Sequence, residues 1–265
     1  MNSFSTHAIM LRRIDYGDYD LIITFFTPDS GKVSVIAKSA KRSKKRFAGI
    51  LELFSVLQVV FSRGRGLPVL QEATLNQPFI KIRTDIKKTA YASYWAELIN
   101  EWIEEGEAQV RLYELFLYVL GELDIGNIPE PVLSILFQMK FMSISGFYPN
   151  LTHCNLCGIE MENMKKNRIM FDLEGGGIVC EKCVSPLLST HDPGRRGPVR
   201  RIYISKGTIK QLLWFENGNL EKSGRVRFSR QSLREGLEFS EAFVPYHLGK
   251  MPRSLAFLRQ IRRDA

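Results

Sequence analysis

Four cysteines are the residues of this chain best suited to chemistry. They stand as Cys154-Asn155-Leu156-Cys157 and Cys180-Glu181-Lys182-Cys183, 22 residues apart, and the 265-residue sequence has no others. Two residues between thiolates let one tight turn offer both sulfurs to one ion, and two such turns complete a tetrahedral S₄ set suited to zinc. Four thiolates close the coordination shell, so the expected cofactor is structural Zn²⁺. The gap slightly exceeds the usual window of about 15 to 20 residues, and a β-hairpin fills it. Residues 168–171 and 178–179 read as its strands, with Gly175-Gly176-Gly177 as the turn. Two disulfides or a redox pair compete with this reading. No secretion signal is evident in residues 1–20, and no thioredoxin-like βαβ pattern surrounds the pairs. His153 flanks a complete set and is read as a neighbour, not a ligand.

A closed four-cysteine site holds structure together, so function must come from elsewhere. The other singular stretch is Lys38-Ser39-Ala40-Lys41-Arg42-Ser43-Lys44-Lys45-Arg46-Phe47. Six of residues 38–46 are basic and none is acidic. Such a loop repels itself unless a polyanion screens it, and phosphates do so with release of counterions. Lys38, Lys41, Arg42, Lys44, Lys45 and Arg46 are therefore the candidate DNA-binding residues. Phe47 reads either as a stacking platform for a base or as core. Arg12, Arg13, Arg63 and Arg65 are candidates to extend the patch.

Short runs rich in β-formers surround this loop, at 7–12, 21–26, 33–37, 50–61 and 68–73. Five short strands in so little chain fit a small barrel of the oligonucleotide-binding (OB) type, with an SH3-like barrel as the alternative. The pattern changes at Asn76-Gln77-Pro78. Tyr91, Trp95, Leu98 and Trp102 recur at helical spacing, as do Leu112, Leu115, Phe116, Val119, Leu120 and Leu123. Pro129 and Pro131 open a third helix and Ser145-Gly146 closes it. After a loop at 190–198, Ser205 is expected to cap a helix ending at Asn217-Gly218, followed by helices near 229–246 and 254–261. The expected architecture is α+β and multidomain. An OB barrel spans 1–78, a helical domain begins at 79–147, a zinc insert occupies 148–190, and 191–265 completes the helical bundle.

Composition narrows the class. The hydrophobic share of 45% is ordinary for a globular protein, and no run approaches the roughly 18 apolar residues of a membrane span. A cytoplasmic protein with no membrane contact is expected. The net charge of +9 is uneven. Residues 1–80 hold 11 Lys/Arg against 6 Asp/Glu, residues 81–150 hold 6 against 10, and residues 151–265 hold 20 against 12. Basic ends point to a polyanion partner. No phosphate-cradling G-x-x-x-x-G-K-[ST], H-E-x-x-H or G-x-S-x-G occurs, and the four histidines are scattered. A non-enzyme is expected.

Several stretches together resemble the RecO-type DNA repair and recombination mediators of bacteria. They run in order: Ala8-Ile9-Met10-Leu11 and Asp15-Tyr16-Gly17-Asp18-Tyr19-Asp20; Gly31-Lys32-Val33; the basic loop into Phe47-Ala48-Gly49-Ile50-Leu51; Ser145-Gly146-Phe147-Tyr148-Pro149 before the first cysteine pair; and Phe171-Asp172 before Gly176-Gly177 and Val179-Cys180. The resemblance implies an N-terminal OB barrel, a helical domain and a zinc module inserted in it. It implies binding of single- and double-stranded DNA, annealing of complementary strands without ATP, and action beside RecR and the C-terminal tail of the single-strand-binding protein, SSB. With RecR the protein would help load RecA on SSB-coated strands in the nucleoid. Two other readings stay open: an RNA-binding protein of translation or RNA processing, and a protein-interaction scaffold whose basic loop docks an acidic tail.

Overall fold

The computed structural model describes residues 3–43, 46, 47, 49–62, 66–184, 201–218, 220 and 226–264. Five strands open the chain: β1 (Ser3–Tyr16), β2 (Asp20–Thr27), β3 (Gly31–Ala37), β4 (Val56–Ser62) and β5 (Val69–Gln77). Their spatial order, β1-β2-β3-β5-β4, closes on itself. Antiparallel pairs from Ser3↔Ser62 to Ile9↔Val56 join β1 to β4, and the single parallel pair Ile36↔Val69 joins β3 to β5. A five-stranded barrel this lightly closed is the OB-type fold expected from the sequence. Side chains alternate across each strand. Leu21, Ile23 and Phe25 of β2 enter the barrel core with Met10, Val35, Leu57, Val59 and Phe61. Strand β1 pairs with both neighbours by bending at an irregularity between Met10 and Arg12.

The fourth strand differs from expectation. The apolar run begins at Ile50, yet β4 starts at Val56 because Phe54 adopts a left-handed conformation, φ 68°. The turn before it is tied to β1 in both directions: the Phe54 N–H donates to the Met10 carbonyl at 2.9 Å, and the Met10 N–H to the Ser55 carbonyl at 3.1 Å.

Among the described residues the principal helices are α1 (Ile80–Thr84), α2 (Ile86–Trp102), α3 (Val110–Ile125), α4 (Glu130–Ile144), α5 (Lys206–Asn217), α6 (Arg230–Leu248) and α7 (Arg253–Asp264). Asp85 caps α2, accepting from the Lys87 and Lys88 N–H groups at 2.8 and 3.1 Å. The chain forms two compact units, residues 1–127 with 252–265, and residues 128–251.

In the first unit the barrel docks onto the segment between α2 and α3. The Gly106 N–H donates to the Ser30 carbonyl and the Gln109 N–H to the Pro28 carbonyl, each at 3.0 Å. A Cβ on Gly31, whose φ is 57°, would overlap the Glu107 carbonyl oxygen. Phe26, on the outer side of β2, meets Tyr113 of α3 edge-on, ring centroids 5.6 Å apart. Helix α7 returns to pack on α2 with Leu255 and Leu258 fully buried. Glu97 of α2 accepts from the Arg253 N–H at 3.0 Å and the Ser254 N–H at 2.8 Å, and also from the Ser254 hydroxyl. That carboxylate satisfies the orphan N–H groups at the start of α7 and complements its dipole.

In the second unit α4 is buried almost all round, as its continuous apolar sequence requires. It packs against α5 and α6. A three-stranded sheet stands beside them, in the order β7 (Gly177–Val179), β6 (Arg168–Asp172), β8 (Arg201–Ser205). Phe171 of β6 meets Phe239 and Phe243 of α6 at 4.9 and 5.7 Å. Strand β8 lay outside the sequence expectation.

Candidate metal centre and nucleic-acid interface

The two cysteine pairs converge. Cys154 and Cys157 lie on a turn closed by two hydrogen bonds: the Cys154 N–H donates to the Ile159 carbonyl at 2.8 Å, and the Gly158 N–H to the Cys154 carbonyl at 2.9 Å. Cys180 follows β7, and a turn from the Cys183 N–H to the Cys180 carbonyl, 3.0 Å, brings the fourth sulfur round. The four Sγ atoms lie within 4.8 Å of one another, and those of Cys157 and Cys180 are 3.6 Å apart. Tetrahedral thiolates at about 2.3 Å from one zinc ion would stand roughly 3.8 Å apart. Four cysteines this close can hold a metal ion, and an all-sulfur set suits a soft one. All four are free thiols, as the metal reading requires and the disulfide reading does not. His153 stays outside the cluster, its Nδ1 2.9 Å from the Thr152 hydroxyl.

Burial, then the neighbouring thiols, push Cys183 up to about 12, and burial also raises Cys180. Burial pushes Cys154 up as well, but backbone N–H groups of Cys180, Cys157 and Leu156 outweigh it and bring that thiol down to about 7. Binding of an ion would displace the thiol protons.

Asn155, inside the first pair, ties the pair to the hairpin. Its side chain donates to the Gly175 carbonyl at 2.7 Å and accepts from Asn150 at 2.5 Å. A Cβ on Gly177 would collide with this amide. Sequence reasoning missed the link; the asparagine between the two cysteines and the glycine run were its only signals. A second tie is Glu235 of α6, 3% exposed. One carboxylate oxygen accepts from the Ser205 N–H at 2.9 Å and from the hydroxyls of Ser205 and Thr208, both at 2.7 Å; the other accepts from Gln231 at 2.9 Å. Burial opposes the charge, but these donors hold the carboxyl down at about 2. Glu235 thereby fixes the end of β8 and the start of α5.

The second candidate lies on the barrel. Lys38, Lys41, Arg42 and Arg46 are exposed on the connection after β3; Lys44 and Lys45 lie outside the described residues, as do Arg63 and Arg65. The loop leans on the β1–β2 turn. Lys41 Nζ is 3.1 Å from Asp15 and donates to the Gly17 carbonyl at 3.3 Å. Arg42 lies over the Tyr19 ring, 3.3 Å from its centroid, and donates to the Tyr19 hydroxyl. Asp20 accepts from the Ser39 N–H at 2.7 Å, and Arg46 donates to the Lys38 carbonyl at 2.9 Å. A cleft of about 300 Å³ opens between loop and turn, lined by Arg13, Asp15, Lys41 and Glu52 among others. Ala40 and Phe47 pin the loop from beneath. Phe47 is 3% exposed and belongs to the barrel core, so it offers no face to a base. The exposed aromatics here are Tyr16 and Tyr19, at 54% and 39%, in a turn that reads from sequence only as a polar loop. Arg227, Arg230 and Arg234 belong to the second unit, and Arg259, Arg262 and Arg263 to the first; Arg225 lies outside the described residues.

The recombination protein O N-terminal model matches residues 1–79, and the recombination protein O C-terminal model matches residues 83–256. The DNA repair protein RecO of Desulfatibacillum aliphaticivorans is 44% identical over 266 residues, 99% of each chain. That of Desulfosudis oleivorans is 40% identical over the same span, and that of Listeria innocua is 29% identical over 96% of this chain and 93% of its own. With both models matched in order and relatives this similar along their whole length, the chain belongs to the recombination protein O family.

Proposed function

We propose that this chain is a DNA repair and recombination mediator. It binds single- and double-stranded DNA, anneals complementary strands without ATP, and with RecR helps load RecA on strands coated by SSB, whose acidic tail it contacts. The observation that carries the reading is the exposed basic loop braced on the rim of an OB-type barrel, in a member of a recombination family. Relatives named for DNA repair support it. The proposed mechanism makes and breaks no covalent bond. Two strands repel through their phosphates; Lys38, Lys41, Arg42 and Arg46, with Lys44 and Lys45, lower that repulsion, and base pairing drives the rest. The ion proposed for Cys154, Cys157, Cys180 and Cys183 is Zn²⁺, which when bound holds both knuckles in register. Among the described residues no helix is long and apolar enough to cross a membrane, in keeping with a cytoplasmic, nucleoid-associated protein.

The test is fluorescence-monitored annealing of two complementary oligonucleotides without ATP, across salt concentrations. The protein should accelerate annealing. Contacts to about six phosphates give a slope of log K against log[salt] near −4 on single strands. Replacing Lys38, Lys41 and Arg42 by Ala should weaken binding to all sequences alike. A flat salt response, or a strong preference for RNA of the same sequence, would sink the reading.

A further inference from the structure

The sheet of the second unit has two faces with different chemistry. Ile169 and Phe171 of β6, with Ile204 and Ile202 of β8 opposite them, are buried, and Phe171 meets α6. The opposite face carries Arg168, Met170 and, across the strand pair from Met170, Tyr203 and Val179. There a cleft of about 270 Å³ is lined by Lys166, Arg168, Met170, Val179, Glu181 and Tyr203 among others. Met170 and Val179 form an apolar floor, each 2% exposed. Tyr203 is 44% exposed. Lys165, Lys166 and Arg168 stand exposed beside it. Among the described residues the one carboxylate lining the cleft is Glu181, which already accepts from the Lys165 N–H at 3.0 Å.

The Arg168 guanidinium carbon lies 6.0 Å from the Tyr203 ring centroid, the outer limit of a cation–π contact. Stacked aromatic planes are about 3.4 Å apart, as bases are along a DNA strand. A flat ring inserted between tyrosine and guanidinium needs two such intervals, roughly 7 Å. The observed gap falls short by about 1 Å, within the reach of an exposed arginine side chain.

We infer that this face of the sheet is a second single-stranded nucleic-acid site, on which one base stacks between Tyr203 and Arg168 while Lys165 and Lys166 meet the flanking phosphates. The inference rests on the nucleic-acid reading above. It gives the second unit a strand-binding surface of its own, built on the metal-centre sheet. The aromatic face argues for a nucleic acid over an acidic peptide, which needs the cations but no ring for stacking.

The test uses the full-length, metal-loaded protein and a fluorescein-labelled oligothymidylate of 30 nucleotides, read by anisotropy. Tyr203→Ala and the double change K166A/R168A should each weaken binding about fivefold or more, whereas Tyr203→Phe, which keeps the ring, should stay within about twofold of the parent. An oligonucleotide carrying 5-iodouracil should cross-link to Tyr203 on irradiation. Unchanged affinity in Tyr203→Ala and in K166A/R168A, with no cross-link at 201–205, overturns the site and leaves DNA binding through the barrel standing. An unaltered oligonucleotide affinity with loss of binding to an oligoglutamate peptide also overturns it. A parent protein with no oligonucleotide affinity overturns both this inference and the reading beneath it.

Discussion

Two glycines with the same backbone angle but different surroundings allow a measurement of how firmly the barrel is docked. Gly17 and Gly31 both sit at φ 57°. Around a Cβ at Gly17 there is open space within 4 Å. At Gly31 a Cβ would overlap the Glu107 carbonyl oxygen and stand 3.2 Å from both the Glu104 carbonyl oxygen and Ile103 Cγ2. An alanine at either position is penalised by about 1–2 kcal/mol for a left-handed backbone, and that penalty cancels in the comparison. The Gly31→Ala change must in addition push β3 away from residues 103–107. The hydrogen bonds from Gly106 to Ser30 and from Gln109 to Pro28, just before Gly31, would be stretched together. Each is worth about 1 kcal/mol net. The Gly31→Ala variant should therefore lose about 3–4 kcal/mol and Gly17→Ala about 1–2 kcal/mol. Urea unfolding followed by far-ultraviolet circular dichroism resolves such a gap, because ΔG falls linearly with denaturant and the midpoint moves while the slope holds. If Gly31→Ala unfolds at the same urea concentration as Gly17→Ala, the barrel does not depend on the 103–107 segment and the docking argument is wrong.

The remaining predictions concern the second unit. The Glu235 carboxyl titrates at about 2 against an ordinary 4.5, so its stabilisation is complete above pH 4.5 and is lost as pH falls toward 2. That depression corresponds to about 3 kcal/mol at neutral pH. Glu235→Gln should thus speed hydrogen exchange of the Ser205 and Thr208 amides strongly at pH 7, and a variant exchanging like the parent would contradict the network. Asn155→Ala removes the tie between the first cysteine pair and the hairpin turn; metal affinity, measured by competition with a chromophoric chelator, should drop about 10- to 100-fold with all four sulfurs intact. Chelating the metal from the parent should raise exchange at 150–184 while the β1, β2 and β4 amides of the barrel keep their protection, and equal loss in both regions would refute a purely local role for the ion.

What could be read from the chain follows the range of the interactions involved. Local signals held: Ser205 caps the helix it precedes, and the OB barrel appears from alternation within its strands. The cysteine spacing was legible for the same reason, since each knuckle is made by neighbours. Signals that depend on distant partners were not. The Phe54 turn breaks an apolar run because Met10, over 40 residues earlier, takes its backbone hydrogen bonds. Phe47, an apolar residue at the edge of a basic loop, gives no local sign of whether it faces a base or the barrel. Strand β8, Arg201-Ile202-Tyr203-Ile204-Ser205, alternates cleanly but runs straight into α5, which hides it; the loop expected at 190–198 lies outside the described residues. Glu235 reads as one more acid on an amphipathic helix until Ser205 and Thr208 arrive from β8 and α5.

Helix α7 carries a consequence for the order in which the protein is made. The chain leaves the ribosome from its amino end, so α2 is synthesised long before Leu255 and Leu258, which cover it, and Glu97 waits for the N–H groups of Arg253 and Ser254. The barrel unit is thus left unfinished while all of residues 128–251 emerge and fold. During that interval an apolar strip on α2 is open to chaperones and to misassociation with other nascent chains. A premature stop just before residue 252 would spare every residue of the later-made unit and cripple the one made first.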